Sequence, residues 1–426
     1  MSEHAAPPEG ADFGHDFARA LDAADPLRPY RDWFVYADDT IYLDGNSLGR
    51  LPKGTPARLQ EVVGDQWGRS LIRSWPRWTE FATAVGDRLG REVLGVDDGQ
   101  VAISDSTTVN LYKLINAALD LRPDRRTILI EKDNFPTDLY VVQGIAQARG
   151  ITCVYLDSDI DRGVDVSLVA DALSDDVALV VLSHVAYRSG ALADMVSITA
   201  AAHEAGALTL WDLCHSAGSV RIPLREATAD FAVGCTYKYL NAGPGAPAYL
   251  YVRRDLQSQA RQPIWGWFSQ RDQFGMDQQY AAADGMARFL TGTPNMLGIA
   301  SVDEGLNAIA DAGIGQIQEG GRLLTGYAQL LADEWLRPLD FAVASPRQPS
   351  RRGAHLTLHH EQAWQVCQAM IARDVVPDFR TPDRLRLGFS PLTTSYDEVW
   401  RGLDQIRQIV QVGEHLAFPT ERAAVT

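Results

Sequence analysis

Cysteine is scarce in this chain. Four residues, Cys153, Cys214, Cys235 and Cys367, are spread over 426 positions. None belongs to a CxxC pair or to a Cys/His cluster with zinc-ligand spacing, which excludes a structural-zinc fold and a disulfide scaffold. They read as reduced, buried thiols of a cytoplasmic protein. Long apolar runs are missing too, so no segment approaches the length of a membrane span. The N-terminal "MSEHAAPPEGADFGHDF" is polar, Pro/Gly-rich and without the apolar core of a secretory signal. It reads as a loose tail, and so does the C-terminal "FPTERAAVT". Positive charge is short: 39 Lys and Arg stand against 55 Asp and Glu, a net charge of -16. Such a surface repels phosphate backbones and anionic lipid, so neither nucleic acid nor a membrane is expected as a partner. No GxGxxG or GxxxxGK[ST] follows a strand-like run, which sets aside dinucleotide and P-loop sites.

Apolar residues are plentiful. At 46% hydrophobic, the chain has enough for one large domain and a smaller one with a substantial core. Its middle alternates. Strand-like "VAISD", "TILIEKD", "ITCVYLD", "VALVVLSHV" and "ALTLWDL" are separated by helical "TTVNLYKLINAALD", "TDLYVVQGIAQARG", "VSLVADALSDD" and "MVSITAAAHEAG". Continuous apolar strands between helices imply an α/β fold with a mostly parallel sheet wrapped by helices. After residue 231 come strands without long helices, "FAVGCTYKY" and "PAYLYV". The last hundred or so residues read as a separate α+β unit, with strands "AHLTLHH" and "LRLGFSPL", a helix around 361–373 and a closing helix near 397–412. The expected division is an N-terminal segment 1–50 packing with the small domain, a large domain 51–310 and a small domain 311–426.

Open α/β sheets bind ligands at the carboxyl ends of their strands. Four such ends carry chemistry. "DSTTVN" puts Thr107 and Thr108 at a helix start, where free N–H groups and hydroxyls hold an anion such as phosphate. "NFPTDLY" offers the flat face of Phe135 and the carboxylate of Asp138. "WDLCHSAGS" places Asp212 after a fully apolar strand, with His215 three residues on. "GCTYKYL" places Lys238 between two tyrosines beside apolar strands, where lost hydration favours a neutral, nucleophilic amine. Singly these read as an N-cap, a first-turn Asp, a turn cap and a snorkelling lysine. Together they match what pyridoxal 5'-phosphate (PLP) needs: a phosphate cradle, a stacking face, a carboxylate for the pyridine nitrogen and a lysine for the aldehyde.

The chain resembles kynureninase, a fold-type-I PLP enzyme of the aminotransferase class V group. The matching segments run nearly end to end and include "IYLDGNSLGRLP", "DSTTVNLYKL", "FPTDLYVVQG", "WDLCHSAGSV", "GCTYKYLNAGPGAPAYLYV", "ARFLTGTP" and "PDFRTPDRLRLGFSPL". The resemblance implies Lys238 as the Schiff-base lysine, Asp212 as pyridinium partner and Phe135 stacked on the ring. It implies Thr107, Thr108, Tyr237, Trp267 and Thr293 around the phosphate, with Asp138 and His215 close to the ring. Tyr237 is the candidate acid or charge stabiliser. Arg386 is implied as the grip on the substrate carboxylate, with Asn46 and Ser47 beside it. The family is homodimeric, so active sites at the subunit interface are expected, Trp267 and Thr293 coming from the neighbour. The expected substrate is a small L-amino acid.

The sequence also departs from the family. "SWN" becomes "SWPRWTEF" with Pro76, "HVNYRTG" becomes "HVAYRSG" with Ala186, and the Gly-His of "GWFGH" becomes Ser269-Gln270. Trp75, Ser269 and Gln270 are expected to line the substrate pocket. The cofactor parts are kept while the pocket changes, so chemistry at Cβ of an L-amino acid other than kynurenine is expected. The alternatives are hydrolysis of L-kynurenine or 3-hydroxykynurenine to an anthranilate and L-alanine, and processing of an S-substituted cysteine, as in lincosamide antibiotic pathways. A non-catalytic PLP-binding regulator is the remaining alternative.

Overall fold

A computed structural model of the chain describes residues 13–37 and 39–422. The strands, in chain order, begin with β1 (Ile41–Tyr42), β2 (Val101–Ile103), β3 (Thr127–Glu131), β4 (Thr152–Leu156), β5 (Val177–Ser183), β6 (Leu208–Asp212), β7 (Phe231–Gly234) and β8 (Tyr249–Val252). Next come β9 (Ala342–Val343), β10 (His355–His359), β11 (Val375–Val376), β12 (Asp378–Arg380) and β13 (Arg384–Gly388). Seven of them form one sheet in the order β2-β8-β7-β6-β5-β3-β4, in which β8 alone runs against its neighbours. The α/β architecture with a mostly parallel sheet is therefore present. Strands β3, β5, β6 and β7 are buried at every position, as continuous apolar runs between two helical layers require.

Local chemistry sets the helices around that sheet. Ser106 caps the helix Thr107–Asp120 by accepting from the Val109 N–H at 3.3 Å. The helix Pro136–Arg149 starts on a proline and ends at Gly150, whose φ is 66°. Two segments carry helices that the periodicity did not single out. Residues 55–94 are largely helical, and Gly86 lets this layer lie on β2, since a Cβ there would stand 2.3 Å from the Val101 carbonyl oxygen. The helix Ile314–Leu331 includes adjacent Gly320 and Gly321, which weaken its intrinsic propensity. They permit close packing: a Cβ on Gly320 would lie 2.6 Å from Leu27 Cδ1.

The second sheet is antiparallel, in the order β12-β13-β10-β9, and β1 pairs with β11 separately. It anchors a second apolar core of residues such as Leu356, Leu385, Val399 and Leu403. The N-terminal segment feeds both cores, with Leu27 and Phe34 in the larger and Ala18, Ile41 and Leu43 in the smaller. The helix His15–Ala24 lies along the closing helix Tyr396–Gln411, where the His15 ring stacks on Trp400 at 4.6 Å.

Both terminal readings need correction. The stretch read as an N-terminal tail falls mostly outside the described residues, but its last three positions begin the helix at His15. The C-terminal segment is docked as far as it is described. Trp364 donates to the Pro419 carbonyl at 3.1 Å, Gln365 to that of Phe418 at 2.8 Å, and Arg422 covers Phe379. Among the described residues no helix is long and apolar enough to cross a membrane.

Candidate active site

A cavity of about 310 Å³ opens at the carboxyl ends of the central strands. Thr107, Thr108, Phe135, Asp138, Asp212, His215, Tyr237 and Lys238 all line it. Its position follows from the parallel sheet, whose strand-to-helix turns converge at one edge. Ser106, Thr107 and Thr108 open the 14-residue helix Thr107–Asp120, so that a helix N-terminus faces the cavity.

Lys238 does not sit on a strand. Strand β7 stops at Gly234, and residues 235–240 form a bend that leads into positive-φ positions at Asn241 (57°), Gly243 (87°) and Gly245 (73°). The expected "FAVGCTYKY" strand is therefore cut short, because the chain must turn to carry Lys238 over the sheet edge. Its Nζ lies 2.7 Å from His215 Nε2 and 5.8 Å from the centre of the Phe135 ring. Burial, with Lys238 and Arg386 nearby, pushes the His215 imidazole well below its usual range, so it is neutral and accepts from the amine.

Asp212 ends β6, and its Oδ1 accepts from the Cys214 N–H at 2.6 Å. Asp138 is fully buried beside it. Burial and the Asp212 charge hold the Asp138 carboxyl well above the usual carboxylate range, so Asp138 is the acid that retains a proton more readily. His215 Nδ1 is buried without a hydrogen-bond partner. Unsatisfied polar groups around a cavity mark a place for a polar ligand. Burial, then the Cys235 and Cys214 thiols, push the Tyr237 hydroxyl far above its usual range.

Arg386 lies on β13 and is 1% exposed. Its Nη1 donates to the Tyr187 carbonyl at 2.6 Å and its Nη2 to Ser47 Oγ at 2.7 Å and to the Asp378 carboxylate. With the Asn46 amide turned to face it, Nε donates to the Asn46 oxygen at 3.0 Å, while the Asn46 nitrogen donates to Asp44 at 3.1 Å. Four of the five guanidinium N–H groups are thus engaged. Asn46 and Ser47 do stand beside Arg386, and Tyr187 links this group to the cavity that it lines. The expected two-pronged grip on a carboxylate is narrowed to the one remaining N–H unless Ser47 or Tyr187 yields.

The other expected residues do not line the cavity of their own chain. Trp267 edges Trp75 at 5.6 Å and Phe268 at 4.7 Å in an aromatic cluster, and Thr293 is exposed. Ser269 is fully buried, with its hydroxyl donating to the Gly266 carbonyl at 2.9 Å and receiving the Tyr280 hydroxyl at 3.1 Å. Gln270 braces the same loop, donating to the Gln279 carbonyl at 3.2 Å and accepting from the Ala281 N–H at 2.6 Å. Within their own chain Ser269 and Gln270 spend these polar atoms inside the loop. Pro76 occupies the first turn of the short helix Trp75–Trp78, a position that tolerates proline. Sequence reasoning missed Asp44 and Asp378, which flank Arg386; Cys214 and Cys235 are free thiols as expected, but both line the cavity, which their spacing did not show.

The fold and cavity together define a class: fold-type-I PLP enzymes. Similar solved structures include a cysteine desulfurase from Thermococcus onnurineus NA1 (TM-score 0.78, 18% identity, 90% of this chain and 98% of that one). Another is a mutant of C-DES with glycine covalently linked to its PLP cofactor (TM-score 0.79, 17% identity, 88% and 98%). At that identity the likeness is one of fold. Sequence relatives narrow the class. Residues 317–406 match the kynureninase C-terminal domain. Kynureninase of Pseudomonas fluorescens is 39% identical over 399 residues, covering 92% of this chain and 94% of the relative. Kynureninase of Burkholderia pseudomallei (strain 1106a) is 42% identical over 423 residues, covering 96% and 99%. The chain belongs to the kynureninase family and is an enzyme of that PLP-dependent group.

Proposed function

We propose that this enzyme acts at Cβ of an L-α-amino acid whose side chain is not that of kynurenine. The observation that carries this reading is the loop at Trp267. Where the family carries Gly-His, Ser269 and Gln270 turn their polar atoms into the loop. Ala186 likewise brings no hydrogen-bonding side chain to the turn after β5. A site built to hydrogen-bond an aryl ketone loses much of its selectivity for it when such groups go.

The cavity residues fit PLP. Thr107 and Thr108 at the helix N-terminus would hold its phosphate, Phe135 would cover the ring, and Asp212 would hold a proton on the pyridine nitrogen. Lys238 would bond the aldehyde carbon. When bound, PLP serves as an electron sink for negative charge at Cα. His215 Nε2 fixes the direction of the Lys238 amine, which would take the proton from Cα. Arg386 holds the α-carboxylate by its free N–H, steadied by Ser47, Asn46 and Asp378. Tyr237 keeps its proton and so donates to charge developing near Cγ rather than acting as a base.

A homodimer is part of the proposal. Trp267 and Thr293 do not line the cavity of their own chain, and large apolar side chains such as Trp265 (62% exposed) and Ile72 (71%) are left for a partner to cover. One alternative, kynureninase proper, is favoured by about 40% identity over nearly the whole chain. S-substituted cysteines are the first substitutes to try, because charge at Cα can expel a thiolate from Cβ. A biosynthetic role in antibiotic formation belongs to that reading. The test is a panel of S-substituted cysteines assayed for thiol, pyruvate, ammonia and carbon dioxide. Release of any of these, abolished in Lys238→Ala, supports the proposal. An inert panel together with brisk hydrolysis of kynurenine would sink it.

A further inference from the structure

The floor of the cavity holds two thiols that the proposed chemistry does not use. Cys214 lies two residues beyond β6 and Cys235 one residue beyond β7, and these strands are parallel neighbours, with Asp212 opposite Val233. The Leu213 N–H donates to the Val233 carbonyl at 2.8 Å, so the pairing continues past the strand ends. The Cys235 N–H then lies 3.2 Å from Cys214 Sγ, and Cys235 Sγ lies 3.9 Å from the Cys214 carbonyl oxygen. Cys214 Sγ is also 4.0 Å from Thr107 Oγ1, at the helix start assigned to phosphate. Both cysteines line the cavity, and all four thiols of the chain are free. Cys153 is half-buried on β4 and Cys367 is buried in the second core, so neither is part of this pair.

The two thiols are coupled through a shared proton. Sharing its proton with Cys235, together with burial, pushes the Cys214 thiol up. Burial works against the Cys235 thiolate, but the Cys214 S–H and Lys238 outweigh it and hold Cys235 below the ordinary thiol range. The two sulfurs lie within reach of one shared proton, so one can react as thiolate while the other resolves the product.

We propose that Cys214 and Cys235 are an oxidisable dithiol that closes to a disulfide when the cavity lacks cofactor, and that bound PLP shields it. The oxidant is a peroxide. One of the two sulfurs, as thiolate, attacks one peroxide oxygen, the O–O bond breaks, and hydroxide leaves with a proton as water. The other sulfur attacks the sulfenic sulfur so formed, the S–O bond breaks as the S–S bond forms, and the hydroxide leaves with that thiol's proton as a second water. In all, two thiols and one hydrogen peroxide give one disulfide and two waters. The cross-link ties the turn after Asp212 to the turn before Lys238, and so shifts the two side chains assigned to the pyridine nitrogen and the aldehyde. It therefore weakens PLP uptake.

The proposal rests on the cofactor reading, and the experiment separates the two. Apo and PLP-loaded protein are treated with hydrogen peroxide and followed by intact mass, by peptide mapping and by PLP uptake through visible absorbance. Apo protein is expected to lose two mass units as a Cys214–Cys235 bridge, to lose PLP uptake by tenfold or more, and to recover it with dithiothreitol. Loaded protein is expected to keep four free thiols. Cys235→Ala apo protein should form no bridge and keep after peroxide whatever uptake it had before. Absence of the bridge in apo protein, normal PLP uptake by bridged protein, or equal oxidation of loaded protein would each overturn the proposal. Reduced wild type that takes up no PLP would instead overturn the cofactor reading.

Discussion

Arg386→Lys tests the substrate end of the site with a magnitude fixed by the structure. A lysine keeps the charge but cannot reproduce a planar fork. Four of the five N–H groups of Arg386 are already committed to Tyr187, Ser47, Asp378 and Asn46. The α-carboxylate therefore gains one charge-assisted hydrogen bond, worth about 1.5–3 kcal/mol, and not a two-pronged pair. That corresponds to a fall in kcat/KM of roughly 10- to 150-fold, carried mainly by KM because the carboxylate is held in ground and transition states alike. Steady-state kinetics on the substrate found in the panel read this directly. The visible band of the bound cofactor should be unchanged, since Arg386 does not line the cofactor cavity. An unchanged kcat/KM would refute the assignment. A loss beyond about ten-thousandfold, or one confined to kcat, would refute the one-bond argument.

Other outcomes follow from the same geometry. Burial, then the Asp378 charge, push the Asp44 carboxyl up to about 6, above its unfolded value. Its contribution to stability is present at acid pH and is lost as pH rises through about 6. Asp44→Asn should therefore stabilise the protein by about 1–3 kcal/mol at pH 7.5 and give no gain at pH 4, as read from urea unfolding at both pH values. Gly190 has φ +74°, and a Cβ there would lie 2.8 Å from the His355 carbonyl oxygen. Gly190→Ala should cost about 2 kcal/mol or more in chemical denaturation, and an unchanged midpoint would contradict the strain argument. The paired reversion Ser269→Gly and Gln270→His should raise hydrolysis of L-kynurenine at least tenfold; no gain would remove the loop from the specificity account.

The fold was legible because its signal is periodic. Apolar strands alternating with helices from 101 to 212 define a parallel sheet, and such a sheet dictates where a ligand goes. Reading only the strand ends brought Thr107, Phe135, Asp138, Asp212, His215 and Lys238 to one cavity. What escaped depends on contacts that no local pattern encodes. The helix Ile314–Leu331 carries glycines that lower its propensity and repay it only through close packing on Leu27. The Arg386 site gathers Asp44, Asn46 and Ser47 from one end of the chain and Asp378 from the other; the antiparallel pairing of β12 with β13 brings in Asp378, and the parallel β1–β11 pair with the Asp44–Gly388 bridge brings in the rest. Ser269 and Gln270 could be recognised as departures, but not that their side chains turn inward. Cys214 and Cys235 are 21 residues apart, and only the pairing of β6 with β7 brings them together.

The most direct test of the central claim is turnover of L-kynurenine and 3-hydroxykynurenine by the PLP-loaded enzyme, followed through anthranilate fluorescence and alanine release. With Ser269 and Gln270 in place, turnover is expected at least a hundredfold below an ordinary enzyme rate of about 10 per second, beside faster reaction with another L-amino acid. Hydrolysis of kynurenine at about 1 per second or faster, with micromolar KM, would contradict the claim and make the enzyme a kynureninase in activity as well as in family.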